Sequence, residues 1–197
     1  VIQEFPSVFD GVVRVMSGDP YKIPLVPGAE LPRPVVRNIP CPFNREAAAI
    51  REVQQQLDMG LISRWQDHFP QDQPPPTSTS GFFVGKKDPD QVRLAVHFVG
   101  LNNVTRRHVF PTPGADHLVA NLDRAWRVFA VLDCRKGFHQ VALHPSSKPL
   151  TAFTICSPTQ IAGTYFYERL PMGLVGATDA HDFRVHQVPG DVADRIL

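Results

Sequence analysis

Eight of the 20 prolines in this 197-residue chain fall between Pro6 and Pro42, and no other feature constrains the fold as strongly. Proline has no N–H to give to a helix or sheet ladder, and it biases the residue before it toward extended backbone. Residues 1–42 therefore read as an extended connector lying along something else, with a plain irregular surface arm as the alternative. Regular structure is left to residues 43–197. A hydrophobic content of 43% and a charged content of 20% are ordinary globular values, so that remainder is expected to close the core of one domain. The chain starts at Val1 with no initiator Met, which leads us to expect an excerpt of a longer product.

Several classes are excluded at once. No stretch approaches the roughly 18 consecutive apolar residues of a membrane span, and the N-terminus has no basic segment followed by an apolar run. An intracellular, cytoplasmic chain with no membrane partner is expected. Cys41, Cys134 and Cys156 are odd in number and widely spaced, so neither a disulfide framework nor a structural zinc site is indicated. Twenty Lys and Arg against 19 Asp and Glu give a net charge of +1; any site for a polyanion must be local.

The clearest helix spans about Asn44 to Met59, with Asn44 suited to the N-cap, Ile50, Val53 and Leu57 at helical spacing, and Gly60 as the stop. Gln71 to Ser80 is a polar, proline-rich loop. Gly81 to Val84 is apolar, Gly85 to Asp90 is turn-like, and Val92, Leu94, Val96 and Phe98 alternate with Arg93, Ala95 and His97. That pattern predicts a β-hairpin with Arg93 directed away from the apolar side. A short helix is expected from about Ala115 to Asp123, carrying Leu118, Val119 and Leu122. Val128 to Leu132 reads as a buried strand that presents Asp133 at its end. Phe138 to Leu143, Leu150 to Ile155 and Tyr165 to Leu170 read as further strands, and the segment from Pro171 to Val188 as helical. The expected class is α+β, an antiparallel sheet with packed helices.

Asp133 is the most informative residue. A carboxylate at the end of a buried strand can hold a divalent cation against a substrate phosphate; taken alone, it also reads as a turn former. Its surroundings decide. The stretch Phe129-Ala130-Val131-Leu132-Asp133-Cys134-Arg135-Lys136-Gly137-Phe138-His139-Gln140 resembles the first palm motif of reverse transcriptases from gypsy-type LTR retrotransposons, in which an Asp is followed by x-R-x-G, an aromatic and His-Gln. Further stations follow in order. Leu57 to Ser63 looks like the end of the fingers helix, and Phe83 to Asp88 like the fingers hairpin. Leu101-Asn102-Asn103-Val104-Thr105 and Phe110-Pro111-Thr112-Pro113 are similar to the L-N-x-V-T and Y-P-L-P elements. Thr151-Ala152-Phe153 and Leu170-Pro171-Met172-Gly173-Leu174 match the T-A-F and M-P-F-G-L stations. The resemblance covers roughly residues 40–185 and rests on the ordered series.

The resemblance implies the fingers and first part of the palm of a right-hand polymerase in residues 43–197, an RNA-directed DNA polymerase of a retrotransposon polyprotein. It implies Mg²⁺ held by Asp133 and the backbone carbonyl of Cys134. Phe138 becomes the aromatic gate beneath the incoming sugar, which leaves no room for a 2′-hydroxyl. Lys87 and Arg93, with Lys86 as a neighbour, become the clamp on the nucleotide triphosphate; a solvated hairpin tip is the other reading of these three. Implied partners are an RNA or DNA template with its primer and deoxynucleoside triphosphates, in the cytoplasm or in element-encoded particles. Flanking protease, ribonuclease H and integrase modules complete the family layout. Gly85-Lys86-Lys87 is no Walker loop, because only three residues separate Gly81 from Gly85 and no Ser or Thr follows Lys86. All eight histidines read as surface or packing residues.

Some stations differ. The family usually has Asp-Tyr-Arg before its Leu-Asn, where this chain has His97-Phe98-Val99, and Ala177 to Phe183 replaces an Ala-Pro-x-x-Phe-Gln run. Two-metal chemistry needs more than one carboxylate, and the family's Tyr-x-Asp-Asp has no counterpart, since no Asp-Asp pair occurs in the chain. By spacing, that hairpin is expected a little beyond Leu197, and the chain alone is expected to be inactive. The alternative is a non-catalytic, nucleic-acid-binding or structural relic of a retroelement.

Overall fold

The computed structural model describes residues 3, 6–35, 37, 43–88, 90–111, 114–123, 125–128, 133–156 and 160–187. A single helical turn, α1 (Pro6–Phe9), lies within the segment expected to be extended. The first long element is α2 (Glu46–Asp58), entered through a 3-10 turn at Phe43–Arg45. Asn44 lies inside that turn and does not cap; Arg45 occupies the cap position with no side-chain hydrogen bond. The tighter turn has moved the helix start past the residue with capping chemistry. At the other end Gly60 takes φ 60°, as a helix stop requires. Val53 is fully buried, and Ile50 and Leu57 pack against the same core.

Five strands form one sheet: β1 (Ile62–Arg64), β2 (Thr79–Gly85), β3 (Val92–Val96), β4 (Phe153–Ile155) and β5 (Gly163–Tyr167), in the order β1-β5-β4-β2-β3. Three pairings are antiparallel, and β2 with β4 is parallel, Thr79 opposite Phe153 and Ser80 opposite Thr154. Gly81 allows this approach, because a Cβ there would stand 2.7 Å from the Phe153 ring. The strand period of two sorts the faces. Tyr165 and Tyr167 join Phe153, Ile155, Val92 and Leu94 in the main core under α2. Phe166 points the other way, onto Trp65 and Phe69, whose rings stack at 4.0 Å. The molecule is α+β.

The remaining helices are α3 (Val99–Asn103), α4 (Ala115–Ala120) and α5 (Ala177–His186). On α4 and just after it, Val119 and Leu122 are exposed and do not pack as an apolar stripe. Phe138 to Leu143 is not a strand. It forms a 3-10 turn at Gly137–Gln140, then single bridges from Leu143 to Tyr21 and from Ala142 to Arg169. The segment expected as a strand from Leu150 likewise begins in a 3-10 turn, Lys148–Thr151. Of the expected strand Val128 to Leu132, residues 129–132 lie outside the described residues, and Val128 is 88% exposed. Among the described residues no helix is long and apolar enough to cross a membrane.

The proline-rich connector docks on this body. The backbone N–H groups of Met16 and Tyr21 donate to the carbonyls of Gln140 and Ala142, and that of Val26 donates to Val104. His144 N–H returns a bond to Tyr21, and Arg106 N–H to Pro24. Ile23 is buried in the main core, its N–H held by Ser147 Oγ at 2.9 Å.

Candidate functional site

Three elements converge on a cleft of about 900 Å³. Ala48, Glu52 and Gln56 follow one another at helical spacing and bring one stripe of α2 to the cleft, with Arg51 beside them. The hairpin register pairs Val84 with Arg93 and Gly85 with Val92, so Val92 and Leu94 are buried while Arg93 stays exposed and borders the cleft with Lys86. The turn that follows Asp133 contributes Arg135 and Lys136, and His139, Tyr167, Met172 and Gly173 complete the lining.

That turn is closed by Gly137 N–H to the Cys134 carbonyl at 3.1 Å and His139 N–H to the Lys136 carbonyl at 2.9 Å. Lys136 takes φ 51°, the only left-handed non-glycine among the described residues. Arg135 Nη1 donates to the Gly11 carbonyl at 2.7 Å, which ties the cleft wall to the connector. Burial pushes Lys136 below the usual lysine range, with Glu52 opposing and Arg135 and Lys86 adding to the effect.

His139 is buried, its ring parallel to that of Tyr167 at 6.2 Å. Burial lowers its pKa to about 4, so it is neutral, and Nδ1–H donates to the Leu170 carbonyl at 3.1 Å. Burial pushes the Tyr167 phenol above its ordinary value, and Glu52 adds to the rise. Gln56 Nε2 donates to Glu52 at 2.8 Å, while its amide oxygen is buried without a donor among the described residues. The cleft floor is therefore uncharged and its walls charged. Five cationic side chains, Arg51, Lys86, Arg93, Arg135 and Lys136, share the lining with two carboxylates, Glu52 and Asp90.

The residues singled out from sequence fall into two groups. Lys86 and Arg93 meet in the cleft, and Lys87 joins them around a second hollow of about 480 Å³ at the hairpin tip. Asp133 and Cys134 are exposed at the start of the turn and do not line the cleft. Phe138 is half-buried, with its ring edge-on to His181 at 5.5 Å. Arg135 and Lys136 received no role from sequence; the short run Arg-Lys-Gly after Asp133 was the one available signal. Glu52 and Gln56 carried no signal beyond helical spacing.

Asp133 and the Cys134 carbonyl offer hard oxygen donors of the kind magnesium takes, and one carboxylate is a usual protein share where substrate phosphates complete the shell. Among the described residues no group of three His, Cys, Asp or Glu could hold a metal by itself.

Residues 84–196 match the reverse transcriptase (RNA-dependent DNA polymerase) family. The chain belongs to that family. The retrovirus-related Pol polyprotein from transposon opus of Drosophila melanogaster is 29% identical over 183 residues, 90% of this chain and 17% of that protein. The enzymatic polyprotein of cauliflower mosaic virus is 37% identical over 82 residues, 42% of this chain and 11% of that protein. This reverse transcriptase chain thus spans under a fifth of these relatives' length. The foamy viral protease-reverse transcriptase, solved in complex with double-stranded DNA, superposes with a TM-score of 0.68 at 18% identity, covering 96% of this chain and 31% of that one. The reverse transcriptase family is generally divalent-metal dependent.

Proposed function

We propose that this chain forms the fingers and first part of the palm of an RNA-directed DNA polymerase of a gypsy-type LTR-retrotransposon polyprotein. The polymerase would add deoxynucleotides to a primer on an RNA or DNA template. One observation carries the reading: of the hairpin clamp, Arg93, with its neighbour Lys86, shares one cleft with the turn that follows Asp133, while Lys87 stands at the hairpin tip beside them. Phosphoryl transfer is mostly positioning and electrostatic stabilisation, and cations on a hairpin and a turn can grip a triphosphate without a basic chain overall. In this reading Lys86, Lys87 and Arg93 bind the phosphates, and Phe138 rejects a 2′-hydroxyl. Asp133 and the Cys134 carbonyl hold Mg²⁺. When bound, the metal would offset charge on the triphosphate and make the primer 3′-hydroxyl a better nucleophile. The setting is the cytoplasm or element-encoded particles, within a polyprotein with protease, ribonuclease H and integrase modules.

Arg93→Ala in this chain is expected to weaken deoxynucleoside triphosphate binding about tenfold or more, the loss of one charge-assisted contact, as measured by calorimetric titration. In the whole polyprotein, Asp133→Asn is expected to abolish Mg²⁺-dependent primer extension. Undiminished extension by that variant rejects the metal assignment. The 197 residues alone, with no Asp-Asp pair, are expected to bind nucleotide without extending a primer. Binding of nucleic acid with no binding of nucleotide would favour the relic reading.

A further inference from the structure

Lys136 is a cleft cation for which neither the hairpin clamp nor the carboxylate site has a use, and unlike Arg51 and Arg135 it is not tied to a backbone carbonyl among the described residues. A lysine is an expensive choice there. Its backbone sits at φ 51°, a left-handed region that is strained for any residue other than glycine. The side chain is also half-withdrawn from water beside two further cations, Arg135 and Lys86. Among the described residues no ion pair within 4 Å neutralises it, and Glu52 is the one carboxylate acting on it. Left-handed backbone aims this side chain into the cleft with Lys86 and Arg93.

From this convergence we infer that Lys136 is a further phosphate-binding residue of the cleft, completing with Lys86 and Arg93 a cage for the triphosphate of an incoming nucleotide. The inference rests on the nucleotide reading of the cleft and adds to it a residue from a second element. Three cations converging from a hairpin and a turn suit a compact polyanion. A phosphodiester chain, whose charges are spread along its length, would be met by a stripe. An anion among these groups removes the mutual repulsion of Lys136, Arg135 and Lys86, and the neutral floor of His139 and Tyr167 adds no charge to compete with it.

The test is calorimetric titration of the 197-residue chain with inorganic tripolyphosphate and, separately, with a short single-stranded oligonucleotide. Lys136→Asn removes the charge and suits left-handed backbone; Lys136→Gly is a second charge-free variant that the positive φ also admits. Both are expected to weaken tripolyphosphate binding about tenfold or more, with Lys136→Arg regaining most of the loss and oligonucleotide affinity within about twofold of wild type. Unchanged tripolyphosphate affinity in both charge-free variants overturns the inference, and so does a loss confined to the oligonucleotide. Arg93→Ala separates the two ideas. A loss with Arg93→Ala but none with the Lys136 variants removes Lys136 and leaves the nucleotide cleft. The reverse keeps Lys136 as an anion ligand and removes the hairpin clamp. A wild-type chain that does not take up tripolyphosphate removes both.

Discussion

His139 shows how one buried side chain makes the fold pH-dependent. Burial lowers its pKa to about 4, with Lys136 adding to the effect, the Leu170 carbonyl opposing, Arg169 adding and Glu52 opposing. The unfolded value is about 6.5. Between those values the unfolded chain binds more protons, so stability is complete above about pH 6.5 and falls as the pH drops toward 4. The difference of roughly two and a half pKa units corresponds to about 3 kcal/mol. Urea unfolding across this window is expected to show that loss. In His139→Gln, which keeps a donor for Leu170 without a titrating ring, most of the slope should vanish. A slope as steep as wild type would place the acid sensitivity elsewhere. Asp179 acts in a lower window. The Arg107 side chain and then the Phe110 N–H hold its carboxyl below the usual range, so its share is present above about pH 4 and is lost only below that. Sequence reads His139, like the other histidines, as a surface or packing residue, and the structure packs it. Its neutrality could not be read from sequence, because it depends on β5 and the Leu170 segment closing over it.

At the scale of elements, the motif stations turn out to be joined physically. Asn102, at the end of α3, donates through Nδ2 to the Gly173 carbonyl at 2.9 Å and accepts the Val175 N–H at 2.9 Å through Oδ1. The L-N-x-V-T station thereby fixes the turn that presents Met172 and Gly173 to the cleft. Asn102→Ala is expected to cost about 1–2 kcal/mol for two lost side-chain bonds, measured as a shift of the urea midpoint at constant slope. It should also weaken nucleotide binding in the folded chain; a shift in neither quantity would make the link incidental. Local periodicity explains which elements were legible. The β2–β3 hairpin was, because alternation specifies both register and face, and Val92, Leu94 and Arg93 fall where the pattern put them. Phe138 to Leu143 was not. Alternating Val141 and Leu143 suit a strand, yet the segment pairs only through lone bridges, Leu143 with Tyr21 and Ala142 with Arg169, and the left-handed Lys136 leads into a 3-10 turn instead. The parallel contact of β2 with β4 joins segments some 70 residues apart, for which no local signal exists.

Taken whole, the molecule uses its proline-rich entry as structure. Proline content predicts extended backbone in the entry segment, and residues 19–26 follow it, but where that backbone lands depends on which N–H groups the prolines leave free. Pro20, Pro24 and Pro27 alternate with Tyr21, Ile23 and Val26, whose N–H groups donate to Ala142, Ser147 Oγ and Val104. The connector therefore runs across the back of the segment that carries the Asp133 turn, and Ile23, 4% exposed, fills the core between them. If docking contributes to stability, truncating that side chain should behave as a core truncation. Ile23→Ala is expected to cost about 2–4 kcal/mol, while Val26→Ala, on the same segment but 42% exposed, should stay within about 0.5 kcal/mol. Urea denaturation followed by both fluorescence and far-ultraviolet dichroism measures the two variants, with coincident transitions expected if the connector unfolds with the body. An Ile23→Ala cost no larger than that of Val26→Ala would mean that the segment rests on the surface without bracing the turn beneath it.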